Sequence, residues 1–301
     1  NDVQLDGPVE DAYSEDTKKK MEAMGFDYQH VDDANDTKAV SKAIEKAKKS
    51  DKPSFIEIKS VIGYKSSVAG TSAAHGKPIG EEETKKLREA FDYPYGKFEV
   101  PEEAYEDFKN TFKARGDEAL ESWKETLLKY EKNYPEDYKA LRSVIEGKLE
   151  VDLETLLGDA PIGTEEATRK TMGSVLDTIK EQMPDMIGGS ADLSGSTKVT
   201  GPGANFTKAT PEGRNINFGV REHAMAAIVN GLTLHGMRAY GGGFLIFSDY
   251  MKPSLRLAAL QELPATFIFT HDSVAVGEDG PTHEPIEQLS MFRAMPNMNT
   301  L

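Results

Sequence analysis

Strand, loop and helix signals alternate through the second half of the chain, and this alternation restricts its fold more than any other feature. Met186–Ser190 reads as a short strand running into small residues, and Ala265–His271 (ATFIFTH) as an apolar strand ending in a charged, Gly/Pro-rich loop. Asn215–Gly219 leads into a helix that ends near Gly236, and Ala239–Gly243 enters a second helix through Phe244 and Tyr250. Short apolar strands separated by helices predict an α/β fold. Its sheet is mostly parallel, helices cover both faces, and functional loops lie at the strand C-terminal ends. Residues 165–182 continue the pattern as a helix. Thr164 is its expected cap, and Glu165–Glu166 fall in the first turn, where the helix dipole favours acids.

The first half reads as α/β too. Residues 11–25 look helical, Asp36–Lys49 carries Val40, Ile44 and Ala47 at helical spacing, and residues 81–91 form a further short helix. Pro53–Ile62 (PSFIEIKSVI) alternates as a strand does, and a Gly/Ser-rich loop follows it. The charged, aromatic-studded stretch from Pro101 to Leu149 reads as a solvated helical connector. The expected organisation is a first domain over 1–100, a connector over 101–159 and a second domain over 160–301, without internal repeats.

Among 301 residues, 51 acids against 36 Lys and Arg give a net charge of −15. Such a chain has no general electrostatic hold on nucleic acid or an anionic membrane, so neither is an expected partner. Any phosphate site must be assembled from local Arg, Lys, His or backbone N–H groups. The absence of Cys excludes disulfides, thiolate metal sites and cysteine nucleophiles. No apolar run is long enough to span a bilayer and residues 1–20 lack a signal-peptide pattern, so the expected setting is cytoplasmic. Without a secretion signal the sequon Asn205-Phe206-Thr207 carries little weight.

Four loops following predicted strands combine small and polar residues: Ala69–Gly76, Gly188–Ser196, Tyr240–Phe247 and His271–His283. Small residues let backbone N–H groups approach a ligand, as phosphate sites require, although a single glycine-rich loop is more often a turn. His271–His283 says more, with two His and three acids along a path stiffened by Gly and Pro. It lacks the alternating acids of an EF-hand, and no third zinc ligand stands at convincing spacing. A polyhydroxylated ligand suits it better, because neutral His offers one donor and one acceptor. Phe244, Phe247 and Tyr250 stand at helical spacing, which serves either core packing or an apolar slot for a planar heterocycle. Glu222, in GVREHAMAAI, puts a carboxylate at the mouth of an apolar helix. It is either a first-turn surface acid or a tuned proton carrier.

GVREHAM, GGSADLS, YGGGFLIFSDY, THDSVAVGEDGPTHEP and AGTSAAHG, in their order and separations, make the chain resemble the transketolases, enzymes dependent on thiamine diphosphate. The resemblance runs across almost the whole chain. It implies the thiamine-diphosphate-binding fold: the C-terminal part of the diphosphate-binding domain, the connector, and a pyrimidine-binding domain that Leu301 leaves incomplete. The implied reaction moves a two-carbon ketol unit from a ketose phosphate to an aldose phosphate, through a carbanion of the cofactor, in the pentose phosphate pathway. A homodimer with its active site at the subunit interface is implied as well. Family segments absent at both ends lead to the expectation that these residues alone turn over little or nothing.

The resemblance also assigns residues. Glu222 hydrogen-bonds a ring nitrogen of the aminopyrimidine, with burial raising its pKa, while Phe244, Phe247 and Tyr250 enclose that ring. Asn1, through its side-chain oxygen, and Val3, through its carbonyl, hold magnesium, or calcium or manganese in its place. His75 stands beside the cofactor and the substrate hydroxyls, and Asp192 near the cofactor at the subunit interface. Arg169, Ser196 and His271 hold the sugar phosphate, and Asp279 and His283 contact the ketose hydroxyls and the transferred group. His30, His223 and His235 are left as structural or surface residues. Two rivals remain open: ketol transfer of the dihydroxyacetone-synthase kind, and a non-catalytic assembly fragment that retains the fold.

Overall fold

Apolar periodicity, caps and glycines act together to place each element. The computed structural model describes residues 1–148, 151–158 and 165–301. The chain gathers into two compact units, Asn1–Glu118 and Ala119–Leu301.

In the first unit β1 (Val3–Gln4) and β2 (Gly7–Pro8) form an antiparallel hairpin. A 3₁₀ turn at Val9–Asp11 follows, and α1 is confined to Thr17–Ala23, shorter than the helix expected over 11–25. The Asp16 carboxylate accepts from the Lys19 N–H at 3.0 Å and so fixes where α1 starts. β3 (Asp27–Val31), α2 (Thr37–Ala47) and β4 (Ser54–Ile58) make a parallel β–α–β unit, with Asp27 opposite Ser54 and Val31 opposite Ile58. Asp36 caps α2 through the Ala39 N–H at 2.9 Å. Val31 and Ala43 are its buried apolar residues. A 3₁₀ turn at Ser72–Ala74 and α3 (Glu81–Ala90) complete the expected elements. α4 (Glu102–Phe108) runs through a π turn at Lys109–Lys113 into α5 (Ala114–Asn133), inside which the boundary between the units falls.

The second unit continues with α6 (Pro135–Glu146) and α7 (Leu153–Leu157). It then builds α8 (Thr168–Gln182), β5 (Met186–Ser190), α9 (Ser194–Thr197), β6 (Asn215–Asn217) and α10 (Glu222–Leu234). β7 (Arg238–Phe244), α11 (Ser248–Leu260), β8 (Thr266–Thr270) and α12 (Gln288–Arg293) close it. The four strands form one wholly parallel sheet in the order β6-β5-β7-β8. α8 begins three residues later than expected, so Glu165 and Glu166 precede it; Glu166 instead accepts from the Thr171 hydroxyl at 2.7 Å. The expected cap, Thr164, lies outside the described residues.

Two predicted loops are strands. Tyr240–Phe244 and Gly188–Ser190 are buried ladder residues, and their glycines serve close approach within the core rather than a phosphate. A Cβ on Gly242 would meet Val199 at 2.6 Å, and one on Gly189 would stand 2.0 Å from the Ile216 carbonyl oxygen. Neighbouring strand residues face opposite sides, which Gly241 and Gly242 make visible. Gly241 faces Met225 and Val229 of α10, whereas Gly242 faces Val199. On the α10 side the core is Ala191, Phe218, Met225, Ala226, Leu245, Met251, Leu255 and Phe292. Full burial of an apolar side chain of this size contributes about 1.5–3 kcal/mol.

One core feature left no trace in the sequence pattern. Lys180 is 0% exposed. Its ammonium donates to the Arg214 carbonyl at 3.0 Å, to the Tyr240 hydroxyl at 2.9 Å and to the Asn215 side-chain oxygen. Asn215 passes the connection on, donating to the carbonyls of Gly201 and Gly203 at 3.0 Å each. Every strong polar group is therefore matched, and the 199–215 segment is tied to α8 and β7. Burial, with Arg214 nearby, pushes the Lys180 ammonium down to about 8 against a weaker opposing pull from Asp177. Burial likewise pushes the Tyr240 hydroxyl up.

Candidate active site

The sheet ends its strands on one edge, and the site residues of the second unit collect there. Phe244 is the last residue of β7, Phe247 lies in a 3₁₀ turn (Leu245–Phe247), and Tyr250 is in the first turn of α11. The helical spacing read from these three aromatics is therefore a strand end, a tight turn and a helix start. The rings still form a continuous shelf. Phe244 and Phe247 are stacked with centroids 5.7 Å apart and planes 8° apart, and Tyr250 follows 6.2 Å from Phe247.

Both loop histidines join this shelf. The His271 ring stacks on Phe244 at 3.7 Å, and His283 meets Phe247 edge-on at 5.2 Å and Phe244 at 6.1 Å. His271 immediately follows β8 and adopts φ +55°, a strained turn for a residue with a Cβ. Asp192, two residues beyond β5, has φ +62°. Both are left-handed turns that redirect the chain just after a strand, a conformation that His and Asp adopt more readily than most residues.

Beside the shelf, Arg169, Thr270, His271, Asp272, Ser273 and Asp279 line an open cleft of about 580 Å³. Burial holds the His271 imidazole below its ordinary pKa. The Arg169 guanidinium pushes the same way, while Asp279 and Asp272 oppose it. The cleft thus offers one fixed cation and one imidazole disfavoured as a second cation.

Glu222 is the first residue of α10, one helical turn before Met225 and Ala226, which are fully buried against the α10 side of the sheet. Spacings of three and four put Glu222 on that same helix face, at its N-terminal end. The side chain is half-buried rather than fully desolvated, and its carboxylate has no hydrogen bond or ion pair among the described residues. The helix dipole stabilises an acid there.

The remaining predicted residues take no part in these ring contacts. Ser196, in α9, and Asp192 are exposed, and neither side chain is bonded to the shelf. Asn1, Val3 and His75 belong to the first unit. Asn1 Oδ1 accepts from the Val3 N–H at 3.2 Å, and His75 is an exposed residue ending the Ser72–Ala74 turn. Among the described residues no group of three His, Cys, Asp or Glu is placed to hold a metal, so these residues do not form a metal centre by themselves. Of the histidines left as structural, His30 approaches Asp32 at 3.3 Å and His235 caps α10 through the Gly231 carbonyl at 3.1 Å. Sequence reading missed Gln288, which is fully buried and donates to both carboxylate oxygens of Asp249 at 3.2 and 3.0 Å.

A parallel α/β unit with an aromatic shelf, paired histidines and a helix-start carboxylate at its strand ends has the architecture of a ligand-binding α/β domain. Residues 164–301 match the family model described as the transketolase pyrimidine binding domain, and residues 1–150 match that of the transketolase thiamine diphosphate binding domain. The chain belongs to the transketolase family. It is 47% identical to the transketolase of Staphylococcus aureus (strain MRSA252) and 45% identical to that of Bacillus subtilis (strain 168). Each alignment covers 100% of this chain and 46% of the relative, so the chain spans a little under half the length of these curated relatives. A crystal structure of Pichia stipitis transketolase in complex with sedoheptulose-7-phosphate matches with a TM-score of 0.93 at 37% identity, over 99% of this chain and 46% of that one. Campylobacter jejuni transketolase matches with a TM-score of 0.88 at 38% identity, over 99% and 45%.

Proposed function

We propose that this chain supplies the pyrimidine-binding side of a transketolase active site, together with part of the diphosphate-binding domain, in a protein that transfers a two-carbon ketol unit between sugar phosphates. The observation that carries this reading is the shelf of Phe244, Phe247 and Tyr250 with His271 and His283 packed against it. Two phenyl planes within 8° of each other suit a flat heterocycle, and the half-buried Glu222 carboxylate has no partner among the described residues.

The chemistry supplied by thiamine diphosphate, when bound, is a nucleophilic thiazolium carbon and an electron sink for the carbon–carbon bond beside a ketose carbonyl. Glu222 holds a proton at a pyrimidine nitrogen, while Phe244, Phe247 and Tyr250 grip that ring and keep water from it. Arg169, Ser196 and His271 bind the sugar phosphate, giving an acidic chain a local anion site. Asp279 and His283 orient the ketose hydroxyls and the transferred group, Asp192 lies near the cofactor, and the role proposed for His75 is contact with cofactor and substrate hydroxyls. Asn1 and Val3 offer oxygen ligands for magnesium, whose other ligands these two residues do not supply.

The proposed assembly is a homodimer with the site at its interface. The exposed apolar residues Val220, Ile228 and Leu234 beside or along α10 favour a covered surface. The proposed setting is cytoplasmic pentose phosphate metabolism. Sugar phosphates appear in the solved Pichia stipitis complexes, and no helix among the described residues is long and apolar enough to cross a membrane.

The test is ketol transfer from xylulose 5-phosphate to ribose 5-phosphate by the protein carrying this sequence, with thiamine diphosphate and magnesium. Formaldehyde as competing acceptor separates it from the dihydroxyacetone-synthase reaction. Absence of both turnover and calorimetric cofactor binding would leave a non-catalytic module and reject the proposal.

A further inference from the structure

Three constraints act on His271. Its ring plane is set by the stack on Phe244 at 3.7 Å, and its backbone by the turn at φ +55°. Rotation within that plane is set by Thr270, whose Oγ1 lies 2.9 Å from Nδ1. Thr270 is the last residue of β8 and is 7% exposed. Its hydroxyl has no other hydrogen-bond partner among the described residues.

A hydroxyl can donate only one proton, and a largely buried donor left unmatched is destabilising. Nδ1 can accept that proton only when it carries none itself. Burial and the Arg169 guanidinium both oppose charging the ring, although Asp279 and Asp272 favour it. An imidazole that is neutral, with Nδ1 taken as acceptor, must carry its single proton on Nε2. His283 provides the contrast. Its Nδ1 lies 2.8 Å from the hydroxyl of Thr282, but Thr282 is exposed and water can take that proton.

We propose that Thr270 is a positioning residue: its hydroxyl donates to Nδ1 and fixes His271 as the Nε2–H tautomer, a neutral donor toward an anionic oxygen in the cleft shared with Arg169. The use of that donor rests on the sugar-phosphate reading above, whereas the tautomer does not. The consequence for mechanism is specific. His271 gives a hydrogen bond to its ligand and does not act as a base through Nε2.

The experiment is long-range ¹H–¹⁵N NMR on histidine-labelled protein at neutral pH, with the His271 signals assigned by loss in His271→Gln. Nδ1 is expected to be the unprotonated nitrogen. In Thr270→Val the preference for that tautomer should fall by roughly five- to tenfold, the effect of one net hydrogen bond, and Thr270→Ser should restore it. Titration with inorganic phosphate forms a second arm, in which the valine variant should bind more weakly and the serine variant normally. A protonated Nδ1 in the unaltered protein, or an unchanged tautomer in a folded Thr270→Val, overturns the proposal. Should Thr270→Val not fold, Thr270→Ala removes the same hydroxyl, and an unchanged tautomer preference there overturns the proposal equally. Failure of phosphate to bind the unaltered protein, with the tautomer as expected, would reject the sugar-phosphate reading and leave the role of Thr270 standing.

Discussion

The imidazole of His271 lies over the ring of Phe244, centroids 3.7 Å apart and planes 25° apart. Phe244 thereby joins the aromatic shelf to the cleft that holds Arg169. Replacing it with Leu keeps an apolar side chain at a position 6% exposed but removes the flat face. Phe244→Leu should cost about 0.5–1.5 kcal/mol of folding stability, the worth of an aromatic pair beyond its area. It should weaken thiamine diphosphate binding by a larger factor than it weakens folding. Urea unfolding and calorimetry on the same samples test this, and unchanged cofactor affinity would count against the shelf as a pyrimidine site.

Glu222 stands at the start of α10 with no partner among the described residues, so folding depends on it little. Glu222→Gln keeps the shape and removes the ionisable group. The unfolding free energy should move by no more than about 0.5 kcal/mol. Ketol transfer should fall by at least roughly a hundredfold, the usual contribution of a positioned proton carrier. Full turnover in the glutamine variant would return Glu222 to an ordinary first-turn acid.

Period and punctuation made much of the fold readable. β5, β8, α2 and α3 were legible because a short apolar run or a helical stripe was bounded by caps and glycines, as Asp36 before α2 illustrates. Tyr240–Phe247 reads as a loop because three glycines in a row look like a turn; what sets them in a strand is Val199 and α10, which the local sequence does not reveal. The same blindness to distant partners hid Lys180, whose acceptors lie 34 to 60 residues away. Within the site, motif order singled out Phe244, Phe247, Tyr250, His271 and His283, whose rings lie against one another in the fold. No local signal could show that Gln288 reaches back across 39 positions to Asp249.

Gln288 has a defined task. It is fully buried at the start of α12, grips Asp249 beside Tyr250, and accepts from the Ile286 N–H at 3.0 Å. It therefore anchors the far end of the 271–287 loop to α11, the helix bearing Tyr250 of the shelf. In Gln288→Leu the Ile286 N–H loses its acceptor and Asp249 its buried donor, at a cost of about 1–3 kcal/mol. Amide exchange across residues 272–287 should quicken while exchange in β7 stays slow. Equal quickening in both would mean general destabilisation and no specific anchor.

Lys180 gives the chain a pH dependence of unusual sign. Its ammonium loses its proton near 8 in the native state but, in the unfolded chain, only near the ordinary 10.5. Between these values the unfolded state binds more protons, so stability rises with pH across that window. Tyr240, pushed up by burial, holds its proton longer when folded and reverses the trend above its ordinary 10.0. Urea midpoints should therefore climb from pH 8 to pH 10, by an amount equivalent to roughly 1–3 kcal/mol. Lys180→Met should be less stable at pH 8, having stripped donors from Asn215, Arg214 and Tyr240, and should show no climb. A flat profile in the unaltered protein would mean that the ammonium is not disfavoured by its burial.

His271 and its neighbours make the last prediction separable from the rest, because the two charges beside it act in opposite directions. Arg169 holds its pKa down and Asp279 draws it up, with burial the larger cause of the net lowering. Arg169→Gln should therefore raise the His271 pKa, and Asp279→Asn should lower it further. Since the folded value lies below the unfolded 6.5, the native state resists a proton that the unfolded chain accepts. His271 thus costs stability as pH falls below about 6.5, and Arg169→Gln should make that acid loss smaller. Both side chains are exposed, so salt should shrink both effects. An NMR titration of His271 in the two variants, at low and high salt, reads each sign directly. Shifts of the same sign in both would show that the cleft charges do not set the state of this histidine.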